Sequence, residues 1–212
     1  MLYYDEVFTS IQGETTDAGL PTVFIRLYGC NVKCSYCDQA QQPPNRKRIS
    51  AENLVSLAKA PRIKNICITG GEPLIQQEIY SVIYDLVASG HNVAIETNGC
   101  IEIQSDPYIR SFKYIMDIKC PSSGVSHKNI YSNLSKLHFK DEIVFVIANR
   151  EDYDFAKSIL KKYSTQAKVL FSPMFDKDQK QHIGKDLVNW LIEDRLDNIR
   201  VQIQMHKIIG VC

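Results

Sequence analysis

The stretch Thr22-Val23-Phe24-Ile25-Arg26-Leu27-Tyr28-Gly29-Cys30-Asn31-Val32-Lys33-Cys34-Ser35-Tyr36-Cys37-Asp38 decides how the chain is read. Its first half is a nearly continuous apolar run of strand length, the pattern of a strand covered on both faces. Its second half places Cys30, Cys34 and Cys37 in one loop at that strand's end. Thiolates so close together should share an inorganic centre. A structural zinc site normally completes its tetrahedron with a fourth Cys or His nearby, and none follows here. An iron–sulfur cluster fits better, because thiolates hold its irons and an iron without a protein ligand is free to bind a cofactor or substrate. The alternatives are a loop disulfide with a spare thiol, or a zinc ion that borrows a distant ligand. Arg26 interrupts the apolar run and needs a partner or a ligand, since unpaired burial of a charge is costly. Glu14 and Asp38 are the candidate partners.

Working outward, the 212 residues suffice for one substantial core, so residues 1–212 read as a single domain. A net charge of +1, from 25 basic and 24 acidic side chains, marks neither a nucleic-acid nor a membrane binder. The longest apolar runs are only strand length, and residues 1–6 are polar and acidic, so no span or signal peptide is expected and a cytosolic protein is. Seven cysteines, an odd count with three clustered, suit a reducing compartment. Cys67, Cys100 and Cys120 read as buried small hydrophobes.

The pattern predicts strands over residues 3–9, 22–28, 64–69, 92–96, 114–118, 142–148, 168–171 and 199–204. Helices are expected from Ser50, with Leu54, Leu57 and Ala58 on one side, and over 75–88, 152–163 and 183–195. Residues 39–48 read as a connecting loop. Strand and helix alternate about six times, which predicts an α/β fold with a parallel sheet wound by helices. Nearly every polar or glycine-rich feature falls at a strand's C-terminal end, where such barrels bind ligands. These features are Thr69-Gly70-Gly71-Glu72-Pro73, Thr97-Asn98-Gly99, the segment from Asp117 to Gly124, Ser172 to Phe175, and Met205-His206-Lys207. Gly70 and Gly71 allow a tight turn and close approach of a ligand to the backbone.

The Cys-x3-Cys-x2-Cys loop, with Tyr36 just before its last cysteine, resembles the radical S-adenosylmethionine superfamily. With Ser10-Ile11-Gln12-Gly13-Glu14, Arg26, Cys37-Asp38, Gly70-Gly71-Glu72-Pro73, Glu96-Thr97-Asn98-Gly99 and Gln204-Met205-His206-Lys207 in this order, the whole chain resembles the 7-carboxy-7-deazaguanine synthase family. That resemblance implies an open, about six-unit parallel β/α partial barrel with its active site at the C-terminal strand rim. It implies a lyase that abstracts hydrogen from 6-carboxy-5,6,7,8-tetrahydropterin through a 5'-deoxyadenosyl radical and contracts the ring to 7-carboxy-7-deazaguanine with loss of ammonia, in queuosine and 7-deazapurine biosynthesis.

The same resemblance implies the site. Cys30, Cys34 and Cys37 hold a 4Fe-4S cluster. Tyr36, Asp38, Gly71, Glu72, Asp117, Ile118, Lys119, Ser172, Pro173, Met174 and Phe175 surround S-adenosylmethionine. Ile11, Gln12, Gly13, Glu14, Arg26, Thr69, His206 and the terminal carboxylate of Cys212 surround the pterin. Family members commonly carry Thr or Ser after the Cys-Asp pair, where a hydroxyl helps bind Mg2+; here stands Gln39, whose amide oxygen can serve that ion with a different reach. A homodimer and an external electron donor of flavodoxin or ferredoxin type are also implied. On their own residues, Arg26 and Glu96 read equally well as structural, His206 as a core histidine and Lys207 as solvated. A glycyl-radical-activating enzyme and a non-enzymatic metal-binding module are the competing functions.

Overall fold

Alternating β-branched and aromatic residues at the start of the chain build β1 (Leu2–Ile11), which pairs antiparallel with β2 (Pro21–Leu27), its register shifting between Tyr4 and Glu6. The computed structural model describes residues 1–37, 45–104, 112–174 and 183–211. The other strands are β3 (Lys47–Ile49), β4 (Asn65–Gly70), β5 (Asn92–Thr97), β6 (Phe112–Asp117), β7 (Glu142–Ile147), β8 (Lys168–Pro173) and β9 (Ile199–Val201). Among the described residues they form one sheet of nine strands, ordered β3-β1-β2-β4-β5-β6-β7-β8-β9. From β2 to β9 every neighbouring pair is parallel. The sheet does not close, so the expected open partial barrel is the architecture observed, enlarged by an antiparallel edge.

The α-helices among the described residues are α1 (Ala51–Lys59), α2 (Ile79–Ala88), α3 (Arg150–Lys162), α4 (Gly184–Glu193) and α5 (Met205–Ile209). Ser50 caps α1 by accepting from the Asn53 N–H. The buried face of α1 carries Leu54, Val55 and Ala58, while Leu57 is exposed, against expectation. Leu57 lies about 100° round the helix from the centre of the Leu54, Val55 and Ala58 stripe, outside the face turned to the sheet. The expected helix over 75–88 begins only at Ile79, because Pro73–Ile75 forms a separate 3-10 turn capped by Glu72. The helix expected over 152–163 begins at Arg150, capped by Asn149, which accepts from the Asp152 N–H at 2.9 Å. Asp152 is fully buried and takes the N–H groups of Ser122 and Ala148.

Two further expectations need correction. Residues 47–49, read within a loop, pair with β1, where Tyr3 faces Arg48 and Tyr4 faces Lys47. An edge strand this polar carries no apolar signature, since only its neighbour's backbone selects it. The strand expected over 199–204 stops at Val201, and the family-like terminus becomes α5. Between β6 and β7 the chain forms the 3-10 turns Pro121–Ser123, Ser126–Lys128 and Tyr131–Lys136.

Two apolar layers sandwich the sheet. The larger joins strand residues such as Ile25, Ile68, Ile95 and Phe145 to Leu54, Ile83, Leu86 and Tyr153 of the helices. The smaller holds Phe24, Cys67, Ala94, Ile115, Val144 and Leu170, with Phe8 packed on it, and contains no helix residue. It lines the inside of the curved sheet and supports what lies above it.

Candidate functional site

The inner face opens on a cavity of about 360 Å³ at the C-terminal ends of the parallel strands. Its wall includes Cys30, Cys34, Cys37 and Tyr36 from the loop after β2, with Gly71, Asp117 and Lys119 from later strand ends. Deeper positions are filled by Ile11, Gln12, Gly13, Glu14, Arg26, Thr69 and Glu96. Ser172, Pro173, Met174, Gln204, His206 and Lys207 complete the far side.

The cysteine loop is held from two sides. The Ser35 N–H and hydroxyl donate to the carbonyls of Ser123 and Ser122, at 3.0 and 2.6 Å. On the other side, the Asn98 amide at the end of β5 reaches Asn31 Oδ1 at 2.8 Å and Cys30 Sγ at 3.6 Å. Asn98 belongs to a quoted motif, yet no role for it follows from sequence; only the neighbouring strand end brings it to a thiol. Close backbone approach explains Gly71. A Cβ there would stand 2.0 Å from the Gly29 carbonyl oxygen, next to Cys30.

Glu72 and Ile118, expected beside the cofactor, do not reach the cavity. Glu72 is fully buried, and its carboxylate accepts from the Leu74 N–H (3.0 Å), the Thr97 hydroxyl (2.9 Å) and the Asn98 N–H (2.6 Å). Burial raises its pKa, against the pull of these donors. It ties the turn after β4 to the end of β5. The Ile118 side chain is fully buried in the outer core, since alternation along the strand turns it away from Asp117. Asp38, Gln39, Phe175 and Cys212 lie outside the described residues.

The floor of the cavity is the segment between β1 and β2. Gly13 packs so tightly under His206 that a Cβ would fall 1.9 Å from its Nδ1. Thr15 is held at a φ of 68°, a costly conformation for a β-branched residue, while its N–H donates to Gln202 Oε1 at 2.8 Å. Below it, the Thr16 N–H meets the fully buried Glu142 carboxylate at 3.1 Å, and Lys113 Nζ bridges Glu142 (2.6 Å) and Asp17 (2.8 Å). This anchored loop carries Glu14 upward into the cavity. Gln204 donates to Glu14 Oε1 at 2.6 Å. Burial first, then the negative charge of Glu96, push the Glu14 pKa up to about 7, against the Gln204 hydrogen bond and Lys207. The Glu14 carboxyl is therefore poised between donor and acceptor near neutrality.

Glu96 accepts from the Thr69 hydroxyl at 2.7 Å, from the Cys67 thiol at 3.3 Å and from the Gln12 amide at 3.4 Å. Its partners are side chains rather than rim backbone, and Cys67, though buried, is a polar donor there. Arg26 stands 2.9 Å from Glu6 across the β1–β2 pair rather than beside Glu14. Its Nε–H is not aligned on that carboxylate, is buried, and finds no hydrogen-bond acceptor among the described residues.

Three buried polar atoms around the cavity lack a hydrogen-bond partner among the described residues: Arg26 Nε, the Tyr36 hydroxyl and Asp117 Oδ1. Burying such groups unsatisfied is unfavourable, and their residues all line the cavity. Burial and then Asp117 raise the Tyr36 pKa, keeping the hydroxyl protonated. Lys119 contacts Asp117 Oδ2 at 2.6 Å, and although burial disfavours its charge, Asp117 together with Cys34 and Cys100 outweighs this and raises its pKa. Cys30, Cys34 and Cys37 are unpaired thiols, which leaves the disulfide alternative without support. No group of three His, Cys, Asp or Glu among the described residues is close enough to hold a single ion. A cluster in which each thiolate binds a different iron does not require that convergence. Three thiols on one loop, a glycine backbone beside them and residues with unsatisfied polar groups lining the same cavity fit an iron–sulfur cluster with a polar organic cofactor.

An open β/α barrel with a three-cysteine loop after a strand defines a class, and residues 24–114 match the model of the radical SAM superfamily. Within it, the chain belongs to the 7-carboxy-7-deazaguanine synthase family. It is 35% identical to the 7-carboxy-7-deazaguanine synthase of Methanospirillum hungatei over 97% of this chain and 84% of that one. It is 37% identical to the enzyme of the same name from Koribacter versatilis, over 96% of this chain and 95% of that one. The crystal structure of QueE from Escherichia coli superposes with a TM-score of 0.78, covering 97% of this chain and 94% of that one at 22% identity, which shows the shared fold. No described helix is long and apolar enough to cross a membrane.

Proposed function

We propose that this protein is a single-domain radical lyase that converts 6-carboxy-5,6,7,8-tetrahydropterin to 7-carboxy-7-deazaguanine and ammonia, in 7-deazapurine biosynthesis. One observation carries the reading: the cysteine loop and the Gln12–Glu14 turn line a single cavity, so two ligands can meet inside it. Cys30, Cys34 and Cys37 would hold a 4Fe-4S cluster, with Tyr36, Gly71, Asp117, Lys119, Ser172, Pro173 and Met174 around S-adenosylmethionine. Bound there, the pair supplies an oxidant able to take a hydrogen atom from C6 of the pterin.

The chain's own task is placement and exclusion of water. Arg26 offers a rigid fork to the substrate carboxylate. Gln12 and Glu14 meet the donor and acceptor edge of the pterin, and Glu14, titrating near neutrality, can present either a proton or a lone pair. Thr69, Ile11, Gly13 and His206 shape the remaining wall. Glu72 serves indirectly, by fixing the turn that carries Gly71 and the strand end that carries Asn98. A homodimer, a cytoplasmic location, a low-potential electron donor and a Mg2+ ion near Gln39 extend the proposal along family lines.

Anaerobic reconstitution with iron and sulfide, followed by pterin, S-adenosylmethionine and dithionite, tests it. Formation of 7-carboxy-7-deazaguanine is expected. Deoxyadenosine without deazaguanine would reject this substrate and leave only the superfamily chemistry.

A further inference from the structure

At the end of β9 the inward and outward pattern of the chain is inverted. Val201 and Ile203 are 38% and 44% exposed, while Gln202 between them is only 7% exposed. A segment that alternates in this way normally turns its apolar residues inward and its amides to solvent. Where a local rule is broken, a functional network is the usual reason. Gln204, two residues on, lines the cavity, and Gln202 does not.

Gln202 is held by its backbone and holds with its side chain. Its N–H donates to the Phe171 carbonyl of β8 at 3.0 Å, which fixes the segment beside the sheet. Its Oε1 accepts the Thr15 N–H at 2.8 Å, and its Nε2 donates to Glu14 Oε2 at 3.4 Å. The Thr15 contact decides which way the amide points. With the oxygen committed to that N–H, the group turned to Glu14 is a donor. Gln204 donates to the other oxygen, Glu14 Oε1, at 2.6 Å, so two neutral amides hold the two oxygens of one carboxyl group. Thr15 keeps its φ of 68° against the preference of a β-branched side chain, and the turn needs such a grip.

The charges around Glu14 come from other elements. Glu96 of β5 and Asp117 of β6 oppose its ionisation, and Lys207 of α5 favours it. Neither glutamine adds charge to that balance. A cationic side chain at position 202 would fix Glu14 as an anion, whereas an amide orients the carboxyl and leaves its proton exchangeable.

We propose that Gln202 is a positioning residue: gripping Thr15 with its oxygen and Glu14 with its nitrogen, it sets the plane in which the Glu14 carboxyl faces the substrate, without touching the substrate itself. The inference rests on the function proposed above, in which Glu14 meets the pterin edge. A carboxyl group on a flexible stem places a substrate only when its end is held.

The variant Gln202→Glu separates the two grips. Its carboxylate keeps an oxygen for the Thr15 N–H and sets a second oxygen where Glu14 had a donor. Infrared titration of the reconstituted protein without substrate, each chain read against the same chain carrying Glu14→Gln, follows the Glu14 carboxyl directly. Its midpoint, near 7 in wild type, should rise by about one unit. In anaerobic turnover the KM for the pterin should rise about tenfold with kcat within about twofold, the mark of a lost binding contact. In a Thr15→Gly background, where glycine takes the positive φ without strain, Gln202→Met removes the donor from a turn that no longer needs the grip. The Glu14 midpoint should again move upward, with the melting temperature of Thr15→Gly alone. A Glu14 midpoint equal to wild type in Gln202→Glu, an unchanged pterin KM, or an unmoved midpoint in the double variant would each overturn the proposal and reduce Gln202 to a brace for Thr15. Should Gln202→Glu fail to fold, the double variant decides. If wild type makes no product, the proposed function fails, and the infrared titration still decides whether Gln202 sets the Glu14 carboxyl.

Discussion

The Gln204 amide donates to Glu14 Oε1 at 2.6 Å, joining residues 190 positions apart across the mouth of the barrel. Gln202, two residues earlier, grips the adjacent Thr15 N–H at 2.8 Å. The end of the chain thus holds the turn between the first two strands, and the cavity floor depends on both.

The raised pKa of Glu14 makes stability fall with rising pH. Below 4.5, its ordinary value, the carboxyl is neutral folded or unfolded, and the benefit of burying the neutral form is complete. Above that value the unfolded chain ionises first, so stability declines and the benefit is lost as pH passes through about 7. Urea midpoints measured between about pH 5 and 8 should slope downward in wild type and less so in Glu14→Gln. Identical slopes in the two proteins would refute the assignment.

Lys113→Met should be severely destabilising. It leaves the Glu142 carboxylate, fully buried, with only the Thr16 donors. Breaking a buried ion pair from one side costs about 3–5 kcal/mol. Chemical denaturation would show it, and replacing Glu142 by Leu in the same chain should recover part of the loss.

Gly71→Ala should disturb the cysteine loop. Its new methyl would collide with the Gly29 backbone, which cannot rotate aside as a side chain would. A cost of about 1–3 kcal/mol is expected, with less iron bound per chain after reconstitution. Wild-type iron content and melting temperature would contradict the close approach.

Asn98→Ala removes the amide that reaches Cys30 Sγ and Asn31. Hydrogen bonds to ligand sulfur favour the reduced cluster, so the midpoint potential of the reconstituted protein should move negative. Redox titration followed by electron paramagnetic resonance checks the sign; an unchanged potential would limit Asn98 to bracing the loop.

The parts legible in advance were those with local signals. Residues 22–28 could only be a covered strand, and the three cysteines after it could only crowd one loop. Glycines 70 and 71 marked a close approach that the Gly29 carbonyl now explains. Where local patterns were weak, they misled. Lys47–Ile49 lacks apolar alternation and joins the sheet only because β1 offers an open edge. Glu72 looks like a ligand group by motif, but its three donors come from Leu74, Thr97 and Asn98, two of them on another strand's end.

By itself, then, the sequence determined the repeating strand-and-helix order, the cysteine loop and the family, because each is written in short-range spacing. Only the tertiary structure decided that Glu14 answers to Gln204 and Glu96, that Arg26 faces Glu6, and that Asn98 reaches Cys30. The reason is physical: proton affinity and ion pairing depend on distance and burial, and those exist only once distant strands lie side by side.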